Sequence, residues 1–284
     1  MERYLMTALT DTFKLRNGVK IPKVGFGTWQ VPDGEVAYNA VANALKAGYR
    51  HIDTAWQYQN EKSVGKAIRD SGIPRDQIFV TTKLPAKSKS YDDSLKFFEE
   101  TMQNLGLDYV DLYLIHAPWP WEEMGADYSK ENVEVWRAME KIYQSGRAKA
   151  IGISNFNVQD QKNILENCKV EPMVNQLQYY IGYTEPQNVK FAKESGMLVE
   201  AFSPLATGYL LNNDTVSDIA KQNGVTVAQL AIQYCIQHDI LPLPKAVNPA
   251  HINENKELDF VIPDTDMETL DSLVDTAPGE DHNE

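Results

Sequence analysis

Short apolar runs alternate with longer segments of helical spacing along most of the chain. Eight runs are rich in apolar, β-branched and aromatic residues, and they often close on a polar residue: 24–28, 50–53, 79–84, 110–116, 148–155, 173–179, 198–204 and 241–246. Segments with helical spacing lie between them, including 35–47, 60–69, 90–105 and 132–144. Eight strands alternating with helices predict an α/β fold, a single parallel (β/α)8 TIM barrel.

A β-hairpin is predicted before the first barrel strand. Residues 13–21 carry Asn17-Gly18 at their centre, and Asn-Gly between alternating residues is the strongest short hairpin signal. We expect this N-terminal hairpin to close the bottom of the barrel. The 284 residues suit one barrel of about 250 residues. A single domain is therefore predicted over 1–284, with 1–11 as a flexible N-terminus and 276–284 as a flexible acidic tail.

Polar residues stand where the predicted strands end. They are Asp53, Lys83, His116, Asn155, Gln176, Ser203 and Lys245. Because the carboxyl ends of barrel strands open into one mouth, side chains far apart in sequence are expected to form a single site there.

Four residues of this predicted mouth have the chemistry of an acid–base device. Tyr58 follows Asp53 by five residues, and Lys83 and His116 close the next two strands. A free tyrosine has a pKa of about 10, and a lysine cation at about 4 Å would stabilise tyrosinate by up to roughly 4 kcal/mol. A lowered pKa is therefore expected for Tyr58. Each residue alone has a structural explanation, but their joint placement favours catalysis.

The charge and composition exclude several classes of partner. The net charge of −13 repels nucleic acid and anionic membranes, so neither is expected as a partner. No apolar stretch approaches the ~20 residues of a membrane span, and the first residues do not read as a signal peptide. Cys168 and Cys235 lack metal-ligand or redox spacing. The expectation is a cytoplasmic protein with reduced thiols and no metal site.

Several motifs resemble those of the aldo-keto reductase family, especially small bacterial members similar to 2,5-diketo-D-gluconate and glyoxal reductases. In the family's order they are GFGTW (25–29), GYRHIDTAWQYQNE (48–61), TTKL (81–84), LDYVDLYLIH (107–116), AIGISNF (150–156), NQ (175–176) and SPL (203–205). The resemblance implies NADP(H)-dependent reduction of aldehydes, ketones and diketones by hydride transfer. It places the catalytic tetrad on Asp53, Tyr58, Lys83 and His116, with Tyr58 as general acid.

The same resemblance implies a cofactor site across the barrel mouth, without a Rossmann domain. Ser154, Asn155 and Gln176 would bind the nicotinamide carboxamide, and Phe202 would stack on the ring. Ser203 and Leu205 would line the pyrophosphate, with 206–208 as a cover. The remaining implied cofactor-binding residues are Thr28, Asp53, Lys245, Ala246, Asn248, His251, Glu254 and Asn255.

The sequence departs from the family pattern at the adenosine end and in the substrate pocket. Ala246 replaces a serine and His251 an arginine, which weakens a clamp for the 2′-phosphate. We expect NADPH still to be used, with a reduced preference that could admit NADH. Ala117 opens space beside His116, which Trp119 or Trp121 would fill.

The implied substrate-binding residues are Trp29, Gln57, Tyr58, His116 and Trp119. The short C-terminus predicts an open mouth for a small carbonyl substrate, and a monomer is expected. Two other classes of protein remain alternatives: a non-catalytic barrel that senses its cofactor, and an aldolase that forms a Schiff base on Lys83.

Overall fold

The computed structural model describes residues 9–282, and a two-stranded hairpin begins that part of the chain. Strands β1 (Thr12–Lys14) and β2 (Lys20–Pro22) pair antiparallel, and Gly18 lies in the turn at a φ of 89°. Leu15 and Ile21 pack with Phe79, Leu112 and Leu241 in one buried apolar cluster. The hairpin thus covers apolar residues of the barrel strands, as predicted. Of the predicted flexible N-terminus, residues 1–8 lie outside the described residues.

Eight parallel strands follow in chain order, each paired with the next. They are β3 (Phe26–Gly27), β4 (His51–Asp53), β5 (Phe79–Leu84), β6 (Val110–Ile115), β7 (Ala148–Ser154), β8 (Val174–Gln178), β9 (Leu198–Phe202) and β10 (Leu241–Pro242). The amides of Gly25 and Gly27 donate to the carbonyl oxygens of Pro242 and Pro244, each at 3.0 Å. These two bonds join the first strand to the last, so the predicted (β/α)8 barrel is confirmed.

The last barrel strand is shorter than its apolar run suggested. The sequence predicted a strand over 241–246, whereas β10 ends at Pro242. Pro242 and Pro244 have no backbone N–H to donate to a sheet, so the regular ladder stops early. Their carbonyl oxygens still accept from β3 and its neighbour Gly25. The chain therefore reaches Lys245 in an irregular conformation at the barrel mouth.

Helices lie between the strands and after the last one. They are α1 (Glu35–Ala47), α2 (Glu61–Asp70), α3 (Tyr91–Leu105), α4 (Ser129–Gln144), α5 (Val158–Asn167), α6 (Pro186–Glu194), α7 (Asp214–Gln222), α8 (Val227–Gln237), α9 (Pro249–Glu254) and α10 (Asp264–Asp271). Their apolar faces and the strands form the largest buried cluster. The predicted cap of α3 is present, since Ser90 Oγ accepts from the amide of Asp93 at 3.2 Å. Over residues 9–282 we find no helix long and apolar enough to cross a membrane.

The C-terminal segment lies against the barrel mouth. Thr276 is buried and its hydroxyl donates to the carbonyl oxygen of Ile181. His282 stacks on Tyr183 with ring centroids 4.0 Å apart, and it hydrogen-bonds the Tyr180 hydroxyl at 2.8 Å. The flexible tail was predicted over 276–284, of which 283 and 284 lie outside the described residues. Spacing along the chain does not indicate these contacts, because they join segments about 100 residues apart. Residues 276–282 have a defined place beside the site described next.

Candidate active site

Lys83 contacts two of the other predicted catalytic residues, Asp53 and Tyr58, at the carboxyl ends of neighbouring strands. Its side chain is fully buried in β5. Lys83 Nζ lies 2.6 Å from Asp53 Oδ1, 3.2 Å from the Tyr58 hydroxyl and 3.0 Å from the backbone oxygen of Thr54. Three acceptors thus meet the three protons of one ammonium group.

The surroundings of Lys83 keep it charged. Burial by itself would lower its pKa, but the charge of Asp53 and the contact with Tyr58 outweigh burial and raise it. Schiff-base chemistry instead needs a neutral amine. The ion pair with Asp53 therefore argues against the aldolase alternative.

Tyr58 reaches this lysine from a single turn of 3-10 helix (Trp56–Tyr58) that follows β4. Burial raises the pKa of Tyr58, and Lys83 opposes this rise without overcoming it. The predicted net lowering is therefore wrong, because the sequence indicated the cation but not the loss of hydration around the phenol. With a raised pKa, the hydroxyl stays protonated at neutral pH, which is the form that can donate a proton.

His116 follows β6 and lies edge-on to Tyr58, with ring centroids 5.6 Å apart. Burial, and then the nearby charge of Lys83, hold the pKa of His116 well below its ordinary value. The imidazole is therefore neutral at physiological pH. The Asn155 side-chain amide donates to the backbone oxygen of His116 at 2.9 Å. This bond ties the end of β6 to the loop after β7.

A cavity of about 1320 Å³ opens over these residues. Pockets for small ligands usually hold about 300–1,000 Å³, so there is room here for a large cofactor as well as a substrate. The sequence-predicted residues in its wall are Trp29, Asp53, Gln57, Tyr58, His116, Ser154, Asn155, Gln176, Phe202, Ser203, Leu205, Lys245, Ala246, Asn248, His251, Glu254 and Asn255. Lys83, Thr28 and Trp119 are not in the wall.

Thr28 and Lys83 act from behind the cavity surface. The Thr28 hydroxyl donates to the backbone oxygen of Asp53 at 2.9 Å and is fully buried. This bond holds Thr28 against the end of β4, outside the cavity wall, and its contact with the cofactor stays a prediction. Lys83 lies beneath Tyr58 and Asp53, both of which line the cavity.

Hydrogen bonds connect the polar residues at the ends of β7 and β8. The Ser154 hydroxyl and the backbone N–H of Asn155 both donate to the backbone oxygen of Gln176, at 2.9 and 3.0 Å. The Gln176 side-chain amide donates to Asp53 Oδ2 at 3.0 Å. Asn155 has a φ of 63°, a left-handed conformation that asparagine tolerates better than most residues. These bonds place three polar side chains around the tetrad.

The loop after β9 forms the next part of the wall. Ser203, Ala206 and Thr207 all have φ values near 48° (48°, 47° and 47°), and Gly208 has a φ of 100°. Left-handed conformations at non-glycine residues are uncommon and concentrate at functional sites. Phe202 is half-buried, with part of its ring exposed to the cavity. This loop coincides with the segment predicted to cover a pyrophosphate.

The far end of the cavity is lined by residues after β10 and in α9. Lys245 and His251 are exposed there, and Asn255 is buried beside them. The Asn248 side chain accepts from the amide of Ala250 at 2.9 Å and caps α9. The Lys245 ammonium thus lies at this end of the cavity, and Ser154, Asn155 and Gln176 lie at the end beside the tetrad. That arrangement fits an extended dinucleotide with an anionic adenosine end.

Trp121, and not Trp119, forms the aromatic wall beside His116. Trp119 is 6% exposed and packs with Ala86 and Ala117 in a small buried cluster. Trp121 lines the cavity, edge-on to His116 at a centroid distance of 5.3 Å. Trp119 packs against Ala117, and Trp121 packs on this cluster and lies at the surface of the cavity. The assignment of Trp119 as a substrate-binding residue is therefore corrected.

Sequence reasoning missed Gln178 and the tail that covers it. Gln178 lies in β8 two positions after Gln176, on the same face of the strand, so strand alternation could have found it. Its side-chain amide donates to Glu280 Oε1 at 3.0 Å and to the backbone oxygen of Asp281 at 2.9 Å. Glu280 also accepts from the Thr207 hydroxyl. No local pattern in the sequence indicates these long-range contacts.

The profile of the Aldo/keto reductase family matches residues 23–275. A glyoxal reductase of Bacillus subtilis (strain 168) is 40% identical over 268 residues, which cover 94% of each chain. The chain therefore belongs to the aldo/keto reductase family and is an oxidoreductase that uses a nicotinamide cofactor.

Solved structures agree with this assignment. An aldo-keto reductase from a Medee basin deep-sea metagenome library has a TM-score of 0.89 at 38% identity, with 96% of this chain and 98% of that chain covered. A Bombyx mori aldo-keto reductase, solved in complex with NADP, has a TM-score of 0.85 at 30% identity, covering 94% and 93%.

Proposed function

We propose that the protein reduces aldehydes, ketones and diketones to alcohols, with NADPH as cofactor and Tyr58 as general acid. The observation that carries this proposal is the contact of Lys83 with both Asp53 and Tyr58 at the floor of the cavity, beside His116. When bound, NADPH supplies a hydride to the carbonyl carbon. The Tyr58 hydroxyl delivers the proton to the oxygen on which negative charge develops.

The other tetrad residues prepare Tyr58 for that transfer. Asp53 holds the Lys83 ammonium in place through their ion pair at 2.6 Å. Lys83 stabilises the phenolate that forms as the proton leaves. Neutral His116 can donate a hydrogen bond that orients the carbonyl oxygen. Trp29, Gln57 and Trp121 would surround the rest of the substrate, since all three line the cavity.

The experiment that tests this function is reduced-nicotinamide consumption across a panel of carbonyl compounds, with Tyr58→Phe as the matched variant. Glyoxals belong in the panel because one relative is named a glyoxal reductase. Tyr58→Phe should lower kcat by about 10²–10⁴-fold, the usual contribution of a general acid, while cofactor binding is kept. A variant with nearly wild-type kcat would remove Tyr58 from this role. Tight cofactor binding without turnover would favour the cofactor-sensing alternative.

Cofactor binding along the mouth would use the wall residues already described. Ser154, Asn155 and Gln176 offer polar groups to a carboxamide, and Phe202 offers a ring face for stacking. Ser203, Leu205 and the loop 206–208 would enclose the pyrophosphate. The groups offered to the adenosine end are Lys245, Ala246, Asn248, His251, Glu254 and Asn255.

The adenosine end supports a weakened preference for NADPH over NADH. Within residues 9–282, Lys245 is the only lysine or arginine in this wall, His251 stands where the family pattern has an arginine, and Ala246 offers no hydroxyl. The ratio of kcat/KM values for NADPH and NADH should stay below about 10³, which corresponds to roughly 4 kcal/mol. His251→Arg should raise that ratio by about tenfold or more, since arginine binds phosphate through a fork of charged hydrogen bonds. A larger wild-type ratio, or no response to arginine, would contradict the weakened clamp.

The protein is proposed to act in the cytoplasm as a monomer, on a small carbonyl substrate and without a nucleic-acid or membrane partner. The net charge of −13 supports the last part. Sedimentation at micromolar concentration would test the oligomeric state.

A further inference from the structure

A second buried carboxyl group lies next to the tetrad and has no part in the reaction proposed above. Glu200 is in β9, directly beside Gln176 of β8 in the parallel register. It is fully buried and does not line the cavity. Glu200 therefore cannot contact a ligand in the cavity, and any influence on the site must pass through its neighbours.

The contact that connects Glu200 to the tetrad is the side-chain amide of Gln176. Gln176 Nε2 donates to Glu200 Oε2 at 2.7 Å and to Asp53 Oδ2 at 3.0 Å. Both amide hydrogens are thereby used, and the amide oxygen is left as the group that can serve a ligand in the cavity. The flipped amide would set its oxygen against the carboxylate of Asp53. The two carboxyl groups together thus select one orientation of Gln176.

We propose that Glu200 is a positioning residue, a buried carboxyl group that carries a proton at neutral pH and fixes the orientation of the Gln176 amide beside Asp53. This inference rests on the proposed function, because Gln176 is there assigned to the nicotinamide carboxamide. It extends that function by adding a residue that contacts neither cofactor nor substrate.

The charges around Glu200 favour its neutral form. Asp53 takes the ion pair with Lys83, and no ion pair of Glu200 is found among the described residues; its β10 neighbour in the register is the apolar Leu241. Glu200 Oε1 has no hydrogen-bond partner within residues 9–282. A buried unpaired oxygen costs more as part of an anion than as part of a neutral acid. Burial, and then the charge of Asp53, accordingly raise the pKa of Glu200 to about 8, although Gln176 and Lys83 act in the opposite direction.

The first test uses the protein alone and the NMR signals of the Gln176 side-chain amide, assigned by their loss in Gln176→Met. In the wild type these signals should shift with a midpoint near pH 8, and in Glu200→Gln they should not shift. Glu61→Gln is the matched control, because Glu61 is also a buried carboxyl but bonds Thr82 and Asn104 instead. It should keep the wild-type titration. A wild-type signal that does not move between pH 6 and pH 10, or a titration that survives in Glu200→Gln, would overturn the proposal.

The second test measures Kd for NADPH at pH 7 by direct binding. Glu200→Gln keeps a neutral acceptor for Gln176 and should bind nearly as the wild type does. Glu200→Leu keeps the volume but removes the acceptor, and it should bind roughly five- to tenfold more weakly, the cost of one lost hydrogen bond. A folded Glu200→Leu protein with wild-type Kd would refute the positioning role. If the wild type binds no nicotinamide cofactor, the proposed function fails, and the NMR titration still decides the role of Glu200.

Discussion

Tyr58 is subject to two opposing influences on its proton. Burial disfavours the charged phenolate and raises the pKa, whereas the Lys83 ammonium at 3.2 Å favours the phenolate. The net result is a hydroxyl that keeps its proton in the resting site. Because Lys83 is held by Asp53, the same cation is already in place when the proton leaves. The stabilisation therefore acts where charge develops and needs no rearrangement.

The pKa directions at Tyr58 and His116 predict the pH profile of carbonyl reduction. The Tyr58 pKa is raised from 10, so the donor stays protonated through neutral pH, and kcat should fall only above about pH 10. The His116 pKa is lowered well below 6.5, so no inflection near that value should appear. The measurement is kcat at saturating NADPH and carbonyl compound, which removes any pH dependence of binding.

A loss of kcat with a midpoint near pH 6.5 would mean that His116 titrates during turnover. A loss with a midpoint near pH 8 that persists in Glu200→Gln would mean that Lys83 lowers the Tyr58 pKa more than burial raises it, because the Glu200 titration is absent from that variant. Lys83→Met provides the matched variant. It removes the cation but keeps an unbranched side chain, and it should lower kcat at every pH because the phenolate loses its partner.

At the scale of elements, the loop between β6 and α4 contributes two tryptophans with different positions: Trp119 is buried and Trp121 lines the cavity. Trp119 packs against Ala117, and Trp121 lies edge-on to His116 in the cavity wall. Their rings contact each other edge-on, with centroids 5.3 Å apart. The buried Trp119 ring supports the Trp121 ring. The shape of the cavity wall therefore depends on a residue that does not line the cavity.

This division predicts different results for two alanine variants. Trp121→Ala should raise KM for carbonyl substrates with little change in the free energy of unfolding, because its ring is half-buried and lines the cavity. Trp119→Ala should lower the free energy of unfolding by about 3–5 kcal/mol, as large-to-small changes of buried aromatic residues do. Urea denaturation and steady-state kinetics on both variants provide the measurements. Equal loss of stability in the two variants would contradict the assignment.

The C-terminal segment is a second element at the mouth. Glu280 bridges Gln178 of β8 and Thr207 of the loop after β9. An open mouth was predicted from the sequence. The structure instead places Gly279, Glu280 and Asp281 in the cavity wall. Even a short tail can narrow the mouth when it finds polar partners on two neighbouring elements.

At the scale of the whole molecule, the barrel was predictable because its pattern repeats along the chain. Eight apolar runs, several with a polar residue at or near the end, indicate parallel strands and a common mouth, and the sequence alone places Asp53, Lys83 and His116 there. Other properties depend on which residues meet in space. The buried state of Glu200, the direction of the Tyr58 pKa and the choice between Trp119 and Trp121 all follow from long-range packing, which spacing along the chain does not encode.

Barrel closure is also a long-range contact, and it depends on glycine at the seam between β3 and β10. A Cβ atom at Gly25 would lie 2.4 Å from Leu243 Cδ2 and 2.7 Å from His51 Nδ1. Gly25→Ala should therefore lower the free energy of unfolding by about 1–3 kcal/mol, the usual cost of overpacking. Leu243→Ala alone should be destabilising because it leaves a cavity.

The double variant Gly25→Ala/Leu243→Ala tests whether these two losses share one cause. Its loss of stability should be smaller than the sum of the two single losses, because the added methyl group occupies space that the leucine has left. Urea denaturation of all four proteins gives this coupling free energy. Strict additivity would mean that Leu243 is not the residue that the methyl group displaces, which would leave His51 Nδ1 as the obstacle at this seam. Since Lys245 follows Leu243 by two residues, NADPH binding should weaken in Gly25→Ala and recover in part in the double variant.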